Sequence, residues 1–189
     1  MKPFKLFYEE HVIKKKDPFQ HIYDRIKIVN GQKIIEGDVN LRDQQLTKLP
    51  DLHDVHVTGH FNCSHNSLTS LEGAPIHVGG DFYCKYNQLT SLKGSPRRVG
   101  GYFDCMNNQL TSLKYSPMSV GEYFFCTNNQ LTSLEDGPES VGDNFYCDCN
   151  PLPKGTPTHM TSEQYQEYRK KLKLQKEFGN DAGQTIYDL

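Results

Sequence analysis

The chain has 189 residues, 35% of them hydrophobic and 11% aromatic with no Trp, and a formal net charge of −2. That length suits one domain with small flanking caps, and the near-neutral charge carries no global signature of a nucleic-acid binder. No apolar run approaches the ~20 residues that span a bilayer; mixed charge rather than an apolar stretch follows Met1-Lys2-Pro3-Phe4, which argues against a secretory signal and for a reducing, cytosolic compartment.

Residues 1–36 read as an N-terminal segment and cap. The opening Met1-Lys2-Pro3-Phe4-Lys5-Leu6-Phe7-Tyr8-Glu9-Glu10 leads to the basic run Lys14-Lys15-Lys16. Arg25–Val29, Asn30-Gly31 and Gln32–Glu36 then predict a β-hairpin, because Asn-Gly favours the two-residue type I′ turn. The hairpin runs straight into the first repeat and is expected to pair with it.

Residues 37–152 are a repeat array with six predicted strands. Phe61-Asn62-Cys63, Phe82-Tyr83-Cys84, Phe103-Asp104-Cys105, Phe124-Phe125-Cys126 and Phe145-Tyr146-Cys147 recur every 21 residues, and Val39-Asn40-Leu41 is a degenerate copy 22 residues upstream. Each full copy continues with an Asn (Asn66, Asn87, Asn108, Asn129, Asn150) and then a Leu. A fixed period of this kind predicts a solenoid, since each unit covers only its neighbours. Phe and Cys at i and i+2 share one face of a strand. Stacked parallel strands turn them into ladders, and the Asn amide is placed to satisfy backbone groups in the turn that follows. The Pro and Val-Gly positions of each copy predict a turn-rich return path with no room for a long helix.

Residues 153–189 read as a helical cap and tail. Thr161-Ser162-Glu163-Gln164 has capping-box spacing. Tyr165, Tyr168 and Leu172 follow at helical intervals, and Gly179 suits a stop.

Among residues that invite a chemical reading, five of six cysteines form the ladder. Core packing is the expectation for them, ahead of metal binding or disulfides, because neighbouring side chains in a ladder point the same way. Cys149 falls on the outward continuation and is the best candidate for a reactive thiol, although a plain surface position is the expectation. His53, His56, His60 and His65 are expected to be solvated rather than convergent on a metal. There is no phosphate-binding Gly loop, no GxSxG and no HExxH, so neither an enzyme nor a cofactor is expected. The repeats are net acidic, which disfavours phosphate contacts and makes nucleic acid an unlikely partner.

The outward strand positions carry more information. Tyr83, Tyr86, Tyr102, Asp104, Met106, Tyr123, Phe125 and Tyr146 gather on what should be the concave face, with Asp81 and Lys85 at its edge. Tyr, Phe and Met concentrated on an exposed sheet are the composition of interface hot spots, so these residues are the candidate protein-binding set.

The run FxCxxNxLxxL resembles the leucine-rich-repeat family, whose strand motif is LxLxxNxL, over roughly residues 37–152. The resemblance implies short parallel strands, a turn-rich convex side and a concave protein-binding face. One departure stands out: Val lies four residues before each Phe, with Gly next, where the family has an apolar residue three before. The VGGxFxCxxNQLTSLxGxP signature is similar to repeats in large T-even-type tailed phages. The opening residues resemble the MKxFxxFxxE leader of their head-packaged proteins. That leader is cut after a Glu, matched here by Glu9 or Glu10. These resemblances imply a phage-encoded module that binds a host or viral protein through its concave face in the host cytoplasm, with inhibition of a host defence factor as one consequence of that binding. The alternative is a structural protein inside the virion head.

Overall fold

The structure, a computed structural model, describes residues 17–179. The leader, the Lys14–Lys16 run and the tail beyond 179 lie outside the described residues.

The six predicted strands are present: β3 (Val39–Asn40), β5 (Phe61–Asn62), β7 (Phe82–Tyr83), β9 (Phe103–Asp104), β11 (Phe124–Phe125) and β13 (Phe145–Tyr146). They stack in parallel, each Phe paired directly with the Phe of the next copy. The rings of Phe61, Phe82, Phe103, Phe124 and Phe145 stack with centroids 5.0–5.4 Å apart and planes within 12°. All five are fully buried, as are the ladder cysteines and paired leucines beside them. At ~25 cal/mol per Å² of apolar surface, burying each such ring contributes about 2–3 kcal/mol before entropy is charged against it.

The Asn ladder ties one copy to the next. The amide nitrogen of Asn108 donates to the carbonyls of Cys84 and Cys105, at 3.2 and 3.0 Å, and its oxygen accepts the Leu89 N–H at 3.0 Å. Asn87, Asn129 and Asn150 repeat this pattern. The turn groups of one copy are thus satisfied partly by its successor.

The return path differs from expectation. It does contain turns, but it also contributes a second ladder: β4 (Val55–Val57), β6 (His77–Val78), β8 (Arg98–Val99), β10 (Ser119–Val120) and β12 (Ser140–Val141), paired in parallel. This accounts for the displaced Val-Gly pair. Val78, Val99, Val120 and Val141 point into the core. The following Gly is required by the close approach of successive coils: a Cβ on Gly100, Gly121 or Gly142 would lie 1.9–2.0 Å from the carbonyl oxygen of the preceding ladder glycine.

The hairpin, β1 (Lys27–Val29) and β2 (Gln32–Ile35), extends this second sheet, with β2 parallel to β4. Asn30 and Gly31 both take positive φ, 51° and 78°, as a type I′ turn demands. A short helix not anticipated from the sequence, α1 (Gln20–Tyr23), precedes it and buries Ile22.

At the other end, β14 (His159–Met160) pairs antiparallel with β13, and α2 (Ser162–Phe178) follows. Thr161 and Gln164 form the reciprocal capping box, and Gly179 ends the helix at φ 76°. Tyr165 stacks on Phe145 at 4.3 Å and 9°, continuing the Phe column by one ring. Its hydroxyl donates to the Pro138 carbonyl at 2.9 Å.

Candidate functional site

The outer face of the first sheet brings four of the eight candidate residues into one cluster. Tyr102 meets Tyr123 edge-on at 5.0 Å and Phe125 at 6.2 Å; Phe125 stacks on Tyr146 at 4.9 Å. Tyr123 contacts both Phe125 and Tyr146. The cause is local. In a strand, residues at i and i+2 lie on one face, so the position before each core Phe and the position after it point outward together. Three adjacent strands, β9, β11 and β13, then align them at ~4.8 Å intervals. All four side chains are half-buried.

The remaining candidates divide. Tyr83 donates its hydroxyl to the Asp81 carboxylate at 2.7 Å, and Lys85 lies 5.7 Å above its ring. Burial and the Asp81 hydrogen bond push the Tyr83 phenol well above its ordinary pKa. Tyr86 sits in the following turn at φ 53°, half-exposed, and stacks on His65 at 4.5 Å. Met106 is half-buried, at the register position that Lys85 holds one copy earlier.

Asp104 behaves differently from its neighbours. It is 3% exposed, with one oxygen 2.9 Å from the Lys85 ammonium and the other accepting the Met106 N–H at 3.2 Å. A carboxylate so enclosed and paired is part of the floor of the face rather than a group offered to a partner.

Three residues of this face escape a reading of outward positions alone. His159, brought by β14, stacks on Tyr146 at 4.8 Å and lengthens the aromatic row. Glu122 and Asp143 stand beside Tyr102 and Tyr123. The Asp143 carboxylate binds the Tyr123 hydroxyl and raises its pKa, whereas Tyr102 is raised mainly by burial, with the charge of Glu122 adding to it. A signal for both acids is visible in the repeat: they replace the second Gly of the Val-Gly-Gly run, present as Gly80 and Gly101 in earlier copies.

The residues with chemical potential go elsewhere. Cys63, Cys84, Cys105, Cys126 and Cys147 are buried, free thiols whose pKa values burial pushes up, that of Cys147 to about 12. Cys149 is exposed. The four histidines part company: His53 contacts Asp51, His56 meets His77 at 4.7 Å, His60 accepts the Asp81 N–H, and His65 joins Tyr86. Among the described residues no group of three or more His, Cys, Asp or Glu side chains is placed to hold a metal ion, and no helix is long and apolar enough to cross a membrane.

Comparison of the chain with protein-family models, curated proteins and solved structures returns no match.

Proposed function

We propose that this solenoid is a protein-binding module of leucine-rich-repeat type that grips a partner on the outer face of its first sheet. The observation that carries the reading is the contiguous cluster Tyr102, Tyr123, Phe125 and Tyr146, spread over adjacent strands outside the core. Rigid aromatic rings contribute large contact area at low entropic cost, which is why such residues dominate binding energy. The phage-like repeat signature and leader support a reading in which the partner is a host or viral protein, and occlusion of a host defence factor is the form of inhibition that a binding face of this kind would exert. The leader favours a second reading, a head-internal structural protein; mass spectrometry of purified virions tests it, with absence from virions removing it.

The main test is affinity capture with the immobilised protein, followed by measurement of Kd for the retained partner. Phe125→Ala or Tyr102→Ala is expected to weaken binding by about 2 kcal/mol or more, roughly thirtyfold, with thermal stability nearly unchanged. Arg98→Ala, on β8 of the opposite sheet, and Arg97→Ala beside it are expected to leave binding intact. Loss of binding in the arginine variants with retention in the aromatic ones would move the partner to another surface.

A further inference from the structure

The repeat varies in a correlated way at two positions of the sheet face. In the early copies the residue before the core strand residue is Asp38, His60 or Asp81. Each of these side chains folds over the next copy and accepts a backbone N–H there: Asp38 from His60 at 2.8 Å, His60 from Asp81 at 2.9 Å, Asp81 from Tyr102 at 2.7 Å. The residue beneath each is therefore Gly. A Cβ on Gly59, Gly80 or Gly101 would lie 2.0–2.8 Å from the overlying side chain. In the next two copies the overlying residue becomes Tyr102 and then Tyr123, and Gly gives way to Glu122 and Asp143. The swap occurs at both positions together and in two adjacent, in-register copies, with the Asp143 N–H bonded to the Glu122 carbonyl at 2.9 Å.

The result is two tyrosine–carboxylate pairs side by side against the Phe125 and Tyr146 rings. Between β7 and β13 this face carries Asp81, Asp104, Glu122, Asp143 and Asp148 but only one Lys or Arg, Lys85. Lys85 shows what such a pair accommodates. Its ammonium lies 2.9 Å from Asp104 and 5.7 Å from the centre of the Tyr83 ring. At the two later copies the register position of Lys85 is held by Met106 and Thr127, and Glu122, Asp143 and Asp148 have no ion pair among the described residues. Aromatic faces and carboxylates both attract a cation, and they do so most strongly where water is displaced.

We infer that the partner presents a basic, arginine- or lysine-bearing segment whose cationic heads sit between Tyr102, Tyr123 and the carboxylates of Glu122 and Asp143. This rests on the protein-binding reading above and adds the chemistry of what is bound. Complementary charge also gives faster association and discrimination against acidic partners.

The test is an NMR titration of the isotopically labelled full chain with three nine-residue peptides of alternating Gly and Arg, Gly and Gln, or Gly and Glu. The Arg peptide is expected to shift Tyr102, Tyr123, Phe125 and Tyr146, to bind at least tenfold tighter than the Gln peptide, and to weaken steeply between 50 and 300 mM salt. Glu122→Gln with Asp143→Asn is expected to cost at least fivefold in Kd. Asp136→Asn with Glu139→Gln, of equal charge change on the return path, is expected to cost nothing. Equal losses in the two double variants would reduce the effect to bulk charge and overturn the inference. Binding of the Gln or Glu peptide at the same aromatic residues, as tightly as Arg, overturns the cationic preference yet leaves the face as the docking surface. Arg-peptide shifts confined to other residues overturn both. Contacts from Lys14–Lys16 to these rings in the peptide-free protein, or dimerisation through them, would assign the face to the chain itself and likewise overturn the inference.

Discussion

Tyr115 adopts φ 70° where the two preceding copies have Gly73 and Gly94 at φ 94° and 88°. A side chain in the left-handed region costs about 1 kcal/mol, and that of Tyr115 is half-exposed with little packing to offset it. Tyr115→Gly is expected to raise stability by about 0.5–1 kcal/mol in urea denaturation; a loss would mean that its contact with Lys114 outweighs the strain. The thiols divide equally sharply by environment. Cys149 is exposed, while the other five are enclosed, most of them donating to a backbone carbonyl of the next segment, as Cys105 does to Phe125 at 3.2 Å. Native protein should release one fast-reacting thiol per chain to a disulfide reagent, and all six only after denaturation. Raised pKa values also link folding to pH. An unfolded thiol ionises near pH 8.5, whereas folded Cys147 keeps its proton to about pH 12. The stabilisation is therefore complete below about pH 8.5 and is lost as pH climbs through the raised folded values, at about 1.4 kcal/mol per pH unit for each thiol. Denaturation midpoints between pH 8 and 11 should fall accordingly, and equally so in Cys149→Ser; a flat profile would show that the ladder ionises while folded.

At the scale of elements, α2 is a lid on an open column of rings. A solenoid end exposes the apolar face of its last unit. Here Tyr165 covers Phe145 in the register of the column, and Gly137 leaves the space its hydroxyl needs, since a Cβ there would come 2.4 Å from that oxygen. Tyr165→Ala is expected to cost about 3–5 kcal/mol, and Tyr165→Phe about 1–2, because the Pro138 carbonyl then loses its donor. Thr161→Ala removes one half of the capping box and should cost about 1 kcal/mol. Hydrogen exchange should report all three as faster opening of β13 and β14, graded in that order. Uniform exchange across the three variants would mean that α2 does not protect the last coil.

For the whole molecule, the two ladders must keep a common rise, because one chain supplies both. The glycine ladder sets the close approach on the second sheet. Gly121→Ala would place a Cβ 1.9 Å from the Gly100 oxygen and, with backbone on both sides, has nowhere to shift. It is expected to cost at least about 3 kcal/mol and to broaden the unfolding transition, as a solenoid interrupted mid-array loses coupling between its halves. A cost under about 1 kcal/mol would mean that the coils separate more freely than their backbone spacing implies.

The 21-residue period, the six Phe/Val strands, the Asn ladder, the Asn-Gly hairpin and the capping box were legible in the residues, since each is a local or strictly periodic requirement of backbone geometry. The second sheet was not. Its strands are mostly two residues long with a single inward Val, and a pattern that short has no period of its own; only the stacking of neighbouring coils makes it a ladder and makes its glycines obligatory. The outward Tyr and Phe positions followed from strand alternation, but alternation says nothing of depth. Packing alone buried Asp104 against Lys85, carried Tyr86 into a turn beside His65, brought His159 to Tyr146, and set Glu122 and Asp143 beside Tyr102 and Tyr123. Apart from His159, which the antiparallel cap strand brings in, those contacts join residues about one repeat apart, and the distance between them is decided by how the coils stack, a property of the array that no single copy of the repeat contains.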